Sequence, residues 1–452
     1  MNNYNNFKIN IKKYSRLLFQ KKIHFFLLTV LILFTSYFCL SLIKIKKLEN
    51  QLSSKIQVNE HYKNKIIQYN FFLKSSKFTL EESEEENISF MDQNIFVNSF
   101  ELPFMENKIF SKPVAYLEKN TENVFIVSGD GVISYFNRNQ IGKKEKLLKI
   151  IQSNLNIFFR NDLLFKPGKI SIRDVLIKKN EIYLSIIDEI ENNCWNTSIL
   201  KSKINYDYLN FDYYFRPDDC SDFNEKIHHN KNSSGGRIVD NLNSLFFSVG
   251  DYLDYPKSQN NSSTLGKILK INENGSNFEI ISKGHRNPQG LYLDTETKIL
   301  ISTEHGPKGG DEINVINLVE SSESNNFGWP ISSYGEHYKT KVDTAPLFKS
   351  HAKYGFKEPV FYFEKSIGIS ELIQVPNKFL KSKNKLFFVT ALGHKNQIHE
   401  GDRSIHLFEF SNDYKDLISV EIQPLWERIR DIIYLDEENI FLVLLENRSK
   451  NS

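Results

Sequence analysis

The chain has 452 residues, 40% of them apolar and 25% charged, with a formal net charge of +3. So even a balance leaves no electrostatic footprint for nucleic acid, and the sequence holds no zinc-ligand spacing, no G-x-S-x-G elbow and no phosphate loop. The apolar share supports a sizeable core, and 21 Tyr with 36 Phe lean towards β structure.

The first element is a basic arm, residues 1–22, with Lys8, Lys12, Lys13, Arg16, Lys21 and Lys22 and no acidic residue. Residues 23–43 follow, and their stretch FFLLTVLILFTSYFCLSLI (25–43) has no charge and is long enough to cross a bilayer as a helix. The positive-inside rule puts the arm in the cytoplasm and everything after Lys44 outside. The expectation is a single-pass anchor in a bacterial inner membrane, with the body of the protein in the periplasm. A cleaved signal peptide is the rival reading, but the run exceeds a usual h-region and no A-x-A-like site follows it. Cys39 lies inside the run. Cys194 and Cys220 are then on the exported side, where a disulfide can form and persist; two separate buried thiols are the alternative.

Residues 44–95 read as a stalk and linker. Residues 44–70 are rich in Lys, Asn, Gln and Glu, and LEESEEENIS (80–89) is an acidic run expected to be solvated. From Phe96 to residue 446 the texture changes. Six similar runs recur, each after a polar turn: NVFIVSG (123–129), EIYLSII (181–187), SLFFSVG (244–250), KILISTE (298–304), KLFFVTA (385–391) and NIFLVLL (439–445). Several lead into a second strand, such as GKILKIN (266–272). Nothing reads as a βαβ alternation, and six units exceed one β-sandwich. The expected fold is all-β, a six-bladed β-propeller over 96–446.

Polar chemistry concentrates between two of these runs. GHRNPQGLYLD (284–294) sets Arg286 and Asn287 in a turn shaped by Pro288 and Gly290, and STEHGPKGGDEIN (302–314) leaves the next strand through Gly306, Pro307, Gly309 and Gly310. Glycines let a backbone turn and point its carbonyl oxygens at a ligand or a hard cation. The pair suits an anion held by arginine and a cation held by carbonyls; a tight structural turn with solvated charges is the plain alternative. His285 and His305, which flank the turn, read as structural, and Trp329 reads as packing. Ser366 and Ser370 are weaker contact candidates.

These segments, with NNFGWP (325–330), GGRIVDNLNSLFFSVGD (235–251), LGKILKINENGS (265–276) and RIRDIIYLDEENIFLVL (428–444), closely resemble the soluble aldose dehydrogenases that depend on pyrroloquinoline quinone (PQQ), the glucose/sorbosone dehydrogenase family. The resemblance spans about 96–446 and implies a six-bladed propeller. It also implies PQQ carboxylates held by Arg286, Arg428 and Arg430, with Asn287 beside the quinone and Asp311 anchoring the loop, since arginine forks pair with planar carboxylates and stay charged. Calcium would bind the carbonyls of Gly306 and Pro307. Sugar oxidation at C1 to a lactone would pass a hydride to the cofactor while a base takes the hydroxyl proton, with an electron acceptor to follow.

The sequence departs from the family at that base. The family His falls on Ser233, which has no basicity near neutrality, although its supporting Asp251 is retained. His228 and His229 lie four and five positions earlier, and a shifted loop would be needed to bring one into place. A family Lys falls at Gly393, with Lys395 two residues on, and a late Thr falls in LVLLEN, which has none. Two functions follow: a membrane-anchored sugar dehydrogenase dependent on PQQ and calcium, or a non-catalytic propeller that binds a sugar, a glycan or a protein partner.

Overall fold

The computed structural model describes residues 44–48, 77–90, 93–102, 114–158, 172–191, 193–222, 232–338, 341–393 and 401–446. The basic arm, the apolar run 23–43, His228, His229 and Lys395 lie outside the described residues. Among those described, no helix is long and apolar enough to cross a membrane. The chain divides into two units, residues 1–71 and 72–452. In the first, residues 44–48 are helical; every described strand belongs to the second.

That second unit is all-β. Six sheets follow one another along the chain. Their first strands are Ala115–Lys119, Ile172–Lys178, Gly235–Asn241, Pro288–Asp294, Ile369–Val375 and Ile429–Leu435. Each first strand contacts that of the next sheet, and the last contacts the first, so the sheets close into a ring. Six apolar clusters fill the six junctions between neighbouring sheets.

The six recurring apolar runs fall on the second strand of each successive sheet. Asn123–Ser128, Ser244–Val249 and Ile299–Glu304 are buried from end to end. A strand in that position is covered on both faces by neighbouring sheets, which is why the runs are continuous rather than alternating.

The acidic run read as linker is instead part of a strand. Lys77–Phe90 pairs with Gln93–Phe100 as a hairpin, and Lys77–Glu81 also pairs with Glu145–Lys149 at the outer edge of the first sheet. Alternation explains the misreading: Leu80 and Phe90 are buried while Glu81, Glu85 and Glu86 stay exposed. The hairpin end carries Phe90 onto Phe388 of the fifth sheet, with ring centroids 5.5 Å apart. It packs there with Ile429 and Ile432 of the sixth sheet, which has two strands. Cys194 and Cys220 are joined as a disulfide, with Cα atoms 5.4 Å apart.

The axis of the ring is polar. Arg237, on the first strand of the third sheet, donates from Nη1 to Asp174 Oδ1 at 2.8 Å and to Asp431 Oδ1 at 3.3 Å, and from Nε to Gln289 O at 3.1 Å. Its Nη2 pairs with Glu371. One guanidinium therefore joins strands of five sheets. Asp174 and Asp431 extend the tie, accepting from Ile238 N at 2.7 Å and Leu117 N at 2.6 Å. Burial raises Asp174 to about 7 and also raises Glu371 and Asp431. Replacing Arg237 with Met leaves three buried carboxylates facing one another, so urea unfolding of Arg237→Met should show a loss of about 3–5 kcal/mol. The loss should be larger at pH 8 than at pH 5.5, because these raised groups take up protons as pH falls.

Candidate functional site

In the third to sixth sheets the end of each second strand meets the start of the first strand beside it. The residues at these junctions build the site. Ser233 and Asp251 come from the third sheet, Arg286, Asn287, His305 and Gly306 from the fourth, Gly393 from the fifth, and Arg428 and Glu446 from the sixth.

Arg286 holds a central place. Its backbone N–H donates to Glu304 Oε2 at 3.0 Å, and Nη1 donates to Gly306 O at 2.7 Å and His305 O at 3.1 Å. Its guanidinium carbon lies 5.6 Å from the Trp329 ring centroid. Its Nε is buried with no hydrogen-bond partner, so the arginine retains a donor pointed at no protein acceptor.

Arg428 and Arg430 bracket one buried carboxylate. Arg428 Nε donates to Glu446 Oε2 at 2.8 Å, and Arg430 Nε donates to Glu446 Oε1 at 2.8 Å. The Nη2 groups of both arginines also pair with Glu446. Arg428 Nη1 donates to Leu392 O and Gly393 O, both at 2.8 Å. The three arginines share one field: burial first, then Arg286, Arg430 and Arg428, hold His305 down at about 3, so its ring is neutral. Among the described residues, one carboxylate, Glu446, is ion-paired within this trio, to Arg428 and Arg430, and Asp251 acts on Arg286 through space. That surplus, with the unpartnered Arg286 Nε, fits a ligand bearing carboxylates.

Asn287, 5% exposed, accepts on Oδ1 from Gly235 N at 3.0 Å and Gln289 Nε2 at 2.9 Å, and donates to Asn232 O at 3.2 Å. It thereby pins the segment that carries Ser233. Asp311 points into the protein: Oδ1 accepts from Gly306 N at 3.1 Å, and Oδ2 from the N–H groups of Ile367, Gly368 and Ile369 at 2.9–3.2 Å. It fastens the loop to the fifth sheet, and burial raises it to about 6.

The two carbonyls expected to hold calcium are already used by donors. Gly306 O accepts from Arg286, and Pro307 O accepts from Tyr338 OH at 2.9 Å and Ser366 Oγ at 3.2 Å. Both carbonyls are thus hydrogen-bonded by this chain's own donors, and the positive charge of Arg286 on Gly306 O opposes a cation there, so this donor set does not fit calcium as arranged. Among the described residues no group of three or more His, Cys, Asp or Glu is placed to hold a metal.

At the position of the expected base, Ser233 is 3% exposed and donates from Oγ to Asp251 Oδ1 at 2.6 Å. Asp251 also accepts from Leu253 N at 2.9 Å and Trp329 Nε1 at 2.8 Å. Burial raises Asp251 to about 6, against the opposing pull of Arg286.

Three residues that the sequence reading missed or undervalued belong here. Trp329, read as packing, binds Asp251 and meets Tyr255 edge-on at 5.4 Å. Gln289 links Asn287 to Arg430, accepting from its Nη1 at 3.4 Å. Glu446 directly follows the sixth recurring run, the position that His305 occupies after the fourth, and that register is the signal that could have found it. His285 is structural: its Nε2 lies 2.7 Å from Ser282 Oγ. Ser370 bonds Thr390 and Ile429 O, inside the ring.

The structure thus defines the class: an all-β ring of six sheets among the described residues, with Arg286, Arg428 and Arg430 gathered where the third to sixth sheets meet. The profile of the Glucose / Sorbosone dehydrogenase family matches residues 178–451, and the chain belongs to that family. It is 33% identical over 183 residues to the aldose sugar dehydrogenase YliI of Escherichia coli (strain K12), an alignment covering 37% of this chain and 47% of that protein. It is 31% identical over 127 residues to quinoprotein glucose dehydrogenase B of Acinetobacter calcoaceticus, covering 22% of this chain and 25% of the relative. These alignments span about half or less of the curated relatives' length. Among solved structures, the apo soluble aldose sugar dehydrogenase of Escherichia coli superposes with a TM-score of 0.55 at 21% identity, over 75% of this chain and 94% of that one. A crystal structure titled glucose dehydrogenase gives 0.57 at 20%, with the same coverage. These likenesses show the fold.

The buried site carboxylates set a pH dependence of stability. Asp251 and Asp311 rise from 3.8 to about 6, and Asp174 to about 7, so between those limits the folded chain holds protons that the unfolded chain has released. Stability from these groups therefore falls as pH rises from about 4 to about 7. Thermal melts should give a higher Tm at pH 5 than at pH 8, and Asp251→Asn should remove part of the slope.

Proposed function

We propose that this chain is a PQQ-dependent dehydrogenase of aldose sugars, built as a six-bladed propeller and tethered by residues 23–43 to a bacterial inner membrane, with the propeller in the periplasm. The observation that carries the reading is the gathering of Arg286, Arg428 and Arg430 around His305, with Glu446 the carboxylate ion-paired to the latter two arginines among the described residues, in a chain of this family. The charge-free run after a basic arm supports the anchor. The Cys194–Cys220 disulfide suits an exported body.

Arg286, Arg428 and Arg430 would hold the cofactor's carboxylates, and Asn287 would sit beside it. PQQ, when bound, supplies the two-electron acceptor for oxidation at sugar C1. The rest falls to this chain's own groups. Asp311 keeps the Gly306–Gly310 loop in place through four backbone N–H groups. Trp329 and Tyr255 wall the pocket beside Arg286 and keep water from it. The sugar hydroxyl proton has one described route: Ser233 Oγ accepts it while passing its own proton to Asp251 Oδ1, 2.6 Å away. Ser233 is the relay, and Asp251, held near 6, is the acceptor that must be ionised. The lactone product and a separate electron acceptor complete the turnover.

A second reading has its own observation. Ser233 is almost wholly buried and committed to Asp251, and no imidazole among the described residues stands in its place. A propeller that binds a sugar, glycan or protein partner without oxidising it meets that constraint.

The test is dye reduction by the full chain with PQQ and a panel of aldoses. Turnover should rise with pH through about 6 and fall at least about a hundredfold in Asp251→Asn, within the range that acid–base groups contribute. It should also be lost in Arg286→Ala. A flat pH profile with Asp251→Asn fully active would remove the relay, and no turnover with any aldose would favour the binding protein.

A further inference from the structure

We infer that Glu446 is the protein's own occupant of a carboxylate seat formed by Arg428 and Arg430, and that it limits how strongly the pocket takes a polycarboxylate ligand. The inference rests on the proposed cofactor site and gives Glu446 a role that the reading does not assign. The geometry is that of ligand recognition. Each arginine turns its Nε and Nη2 edge to one oxygen of the same carboxylate: Arg428 to Oε2 at 2.8 and 2.6 Å, Arg430 to Oε1 from Nε at 2.8 Å and from Nη2. Two arginine edges, each closing on one oxygen, give both acceptors of a planar carboxylate charge-assisted bonds. The seat is enclosed, with Glu446 1% exposed and the two arginines 8% and 9%.

The seat is also tied in place from outside. Arg428 Nη1 is fixed to Leu392 O and Gly393 O, and Glu446 N donates to Arg428 O at 2.9 Å. The Arg428 fork is thus held even if the carboxylate beside it changes, and Arg430 keeps a longer bond to Gln289 Oε1 at 3.4 Å. Arg286 differs. Among the described residues no side-chain carboxylate is ion-paired with its guanidinium, its Nη1 rests on backbone carbonyls, and its Nε has no hydrogen-bond partner. A ligand's first carboxylate therefore has an open partner in Arg286, while any further one must compete with Glu446 for Arg428 and Arg430. Glu446 keeps two buried arginines neutralised in the ligand-free protein and weakens the site for polyanions.

Removing the Glu446 carboxylate should open the seat to an external one. In the full chain, Glu446→Ala should lower Tm, and acetate or propionate should raise the Tm of this variant well beyond their effect on wild type. Glu446→Gln, which keeps the shape, should bind PQQ at least about tenfold more tightly than wild type in calorimetric titration. Equal small-carboxylate effects on wild type and Glu446→Ala, or, where wild type binds PQQ, unchanged or weaker binding by Glu446→Gln, would overturn the inference. If Glu446→Ala does not fold, the Glu446→Gln titration decides alone. Rescue by acetate without PQQ binding in any variant would leave the seat standing and remove the cofactor reading. Binding to wild type without either Glu446 effect would do the reverse.

Discussion

The guanidinium of Arg237 is the contact on which the rest of the ring depends. From the third sheet it reaches Asp174 of the second, the Gln289 carbonyl of the fourth, Glu371 of the fifth and Asp431 of the sixth. Asp431 then holds Leu117 N of the first sheet. A closed ring of sheets must put something at its axis, and apolar side chains from six first strands would leave the strands free to slide. Three carboxylates on one arginine fix their heights relative to one another, because losing the arginine would leave them buried and uncompensated. The raised carboxylates are the cost of that arrangement, and the site directly beyond it inherits the registration.

What the axis registers is a set of junctions, each made by the end of a second strand and the start of a first. Four successive sheets present their polar residues there at matched heights. The third contributes the Ser233–Asp251 contact, the fourth Arg286 and His305, the fifth the Leu392 and Gly393 carbonyls, and the sixth Arg428 with Glu446. The pocket is therefore electrostatically lopsided. Around Arg286 positive charge faces backbone carbonyls and aromatic rings, whereas around Arg428 and Arg430 it faces Glu446. Any ligand that enters meets an open cation on one side and a guarded pair on the other.

The parts legible in sequence were those set by burial on two faces. All six recurring runs are second strands, and in the sheets where that strand is buried from end to end a neighbouring sheet covers each side; the sixth, Ile440–Leu445, is only partly covered. The first strands were not legible as a repeat, since they carry Arg173, Asp174, Arg237, Gln289, Glu371, Arg430 and Asp431 toward the axis and so lack an apolar signature. The acidic run at 80–89 failed for a related reason: a hairpin at a sheet edge buries only occasional residues, and a string of glutamates hides Leu80 and Phe90. Within the site, Arg286, Asn287, Arg428 and Arg430 came from motif resemblance and converge in space. Glu446 and Trp329 did not come from it, because a Glu after an apolar run and a Trp in a turn have no local pattern that reports a partner more than fifteen residues away. The carbonyls of Gly306 and Pro307 were identifiable as a pair, but the hydrogen bonds they accept from Arg286, Tyr338 and Ser366 depend on loops far apart in the chain.

The account stands most directly on whether the arginine cluster receives a carboxylate-bearing quinone, and calorimetric titration of PQQ into the full chain, alongside Arg286→Ala, measures that. Saturable one-to-one binding with a Kd on the order of micromolar or tighter, lost in the variant, is the predicted result. No heat of binding in the wild-type chain, or equal binding with and without Arg286, would contradict it.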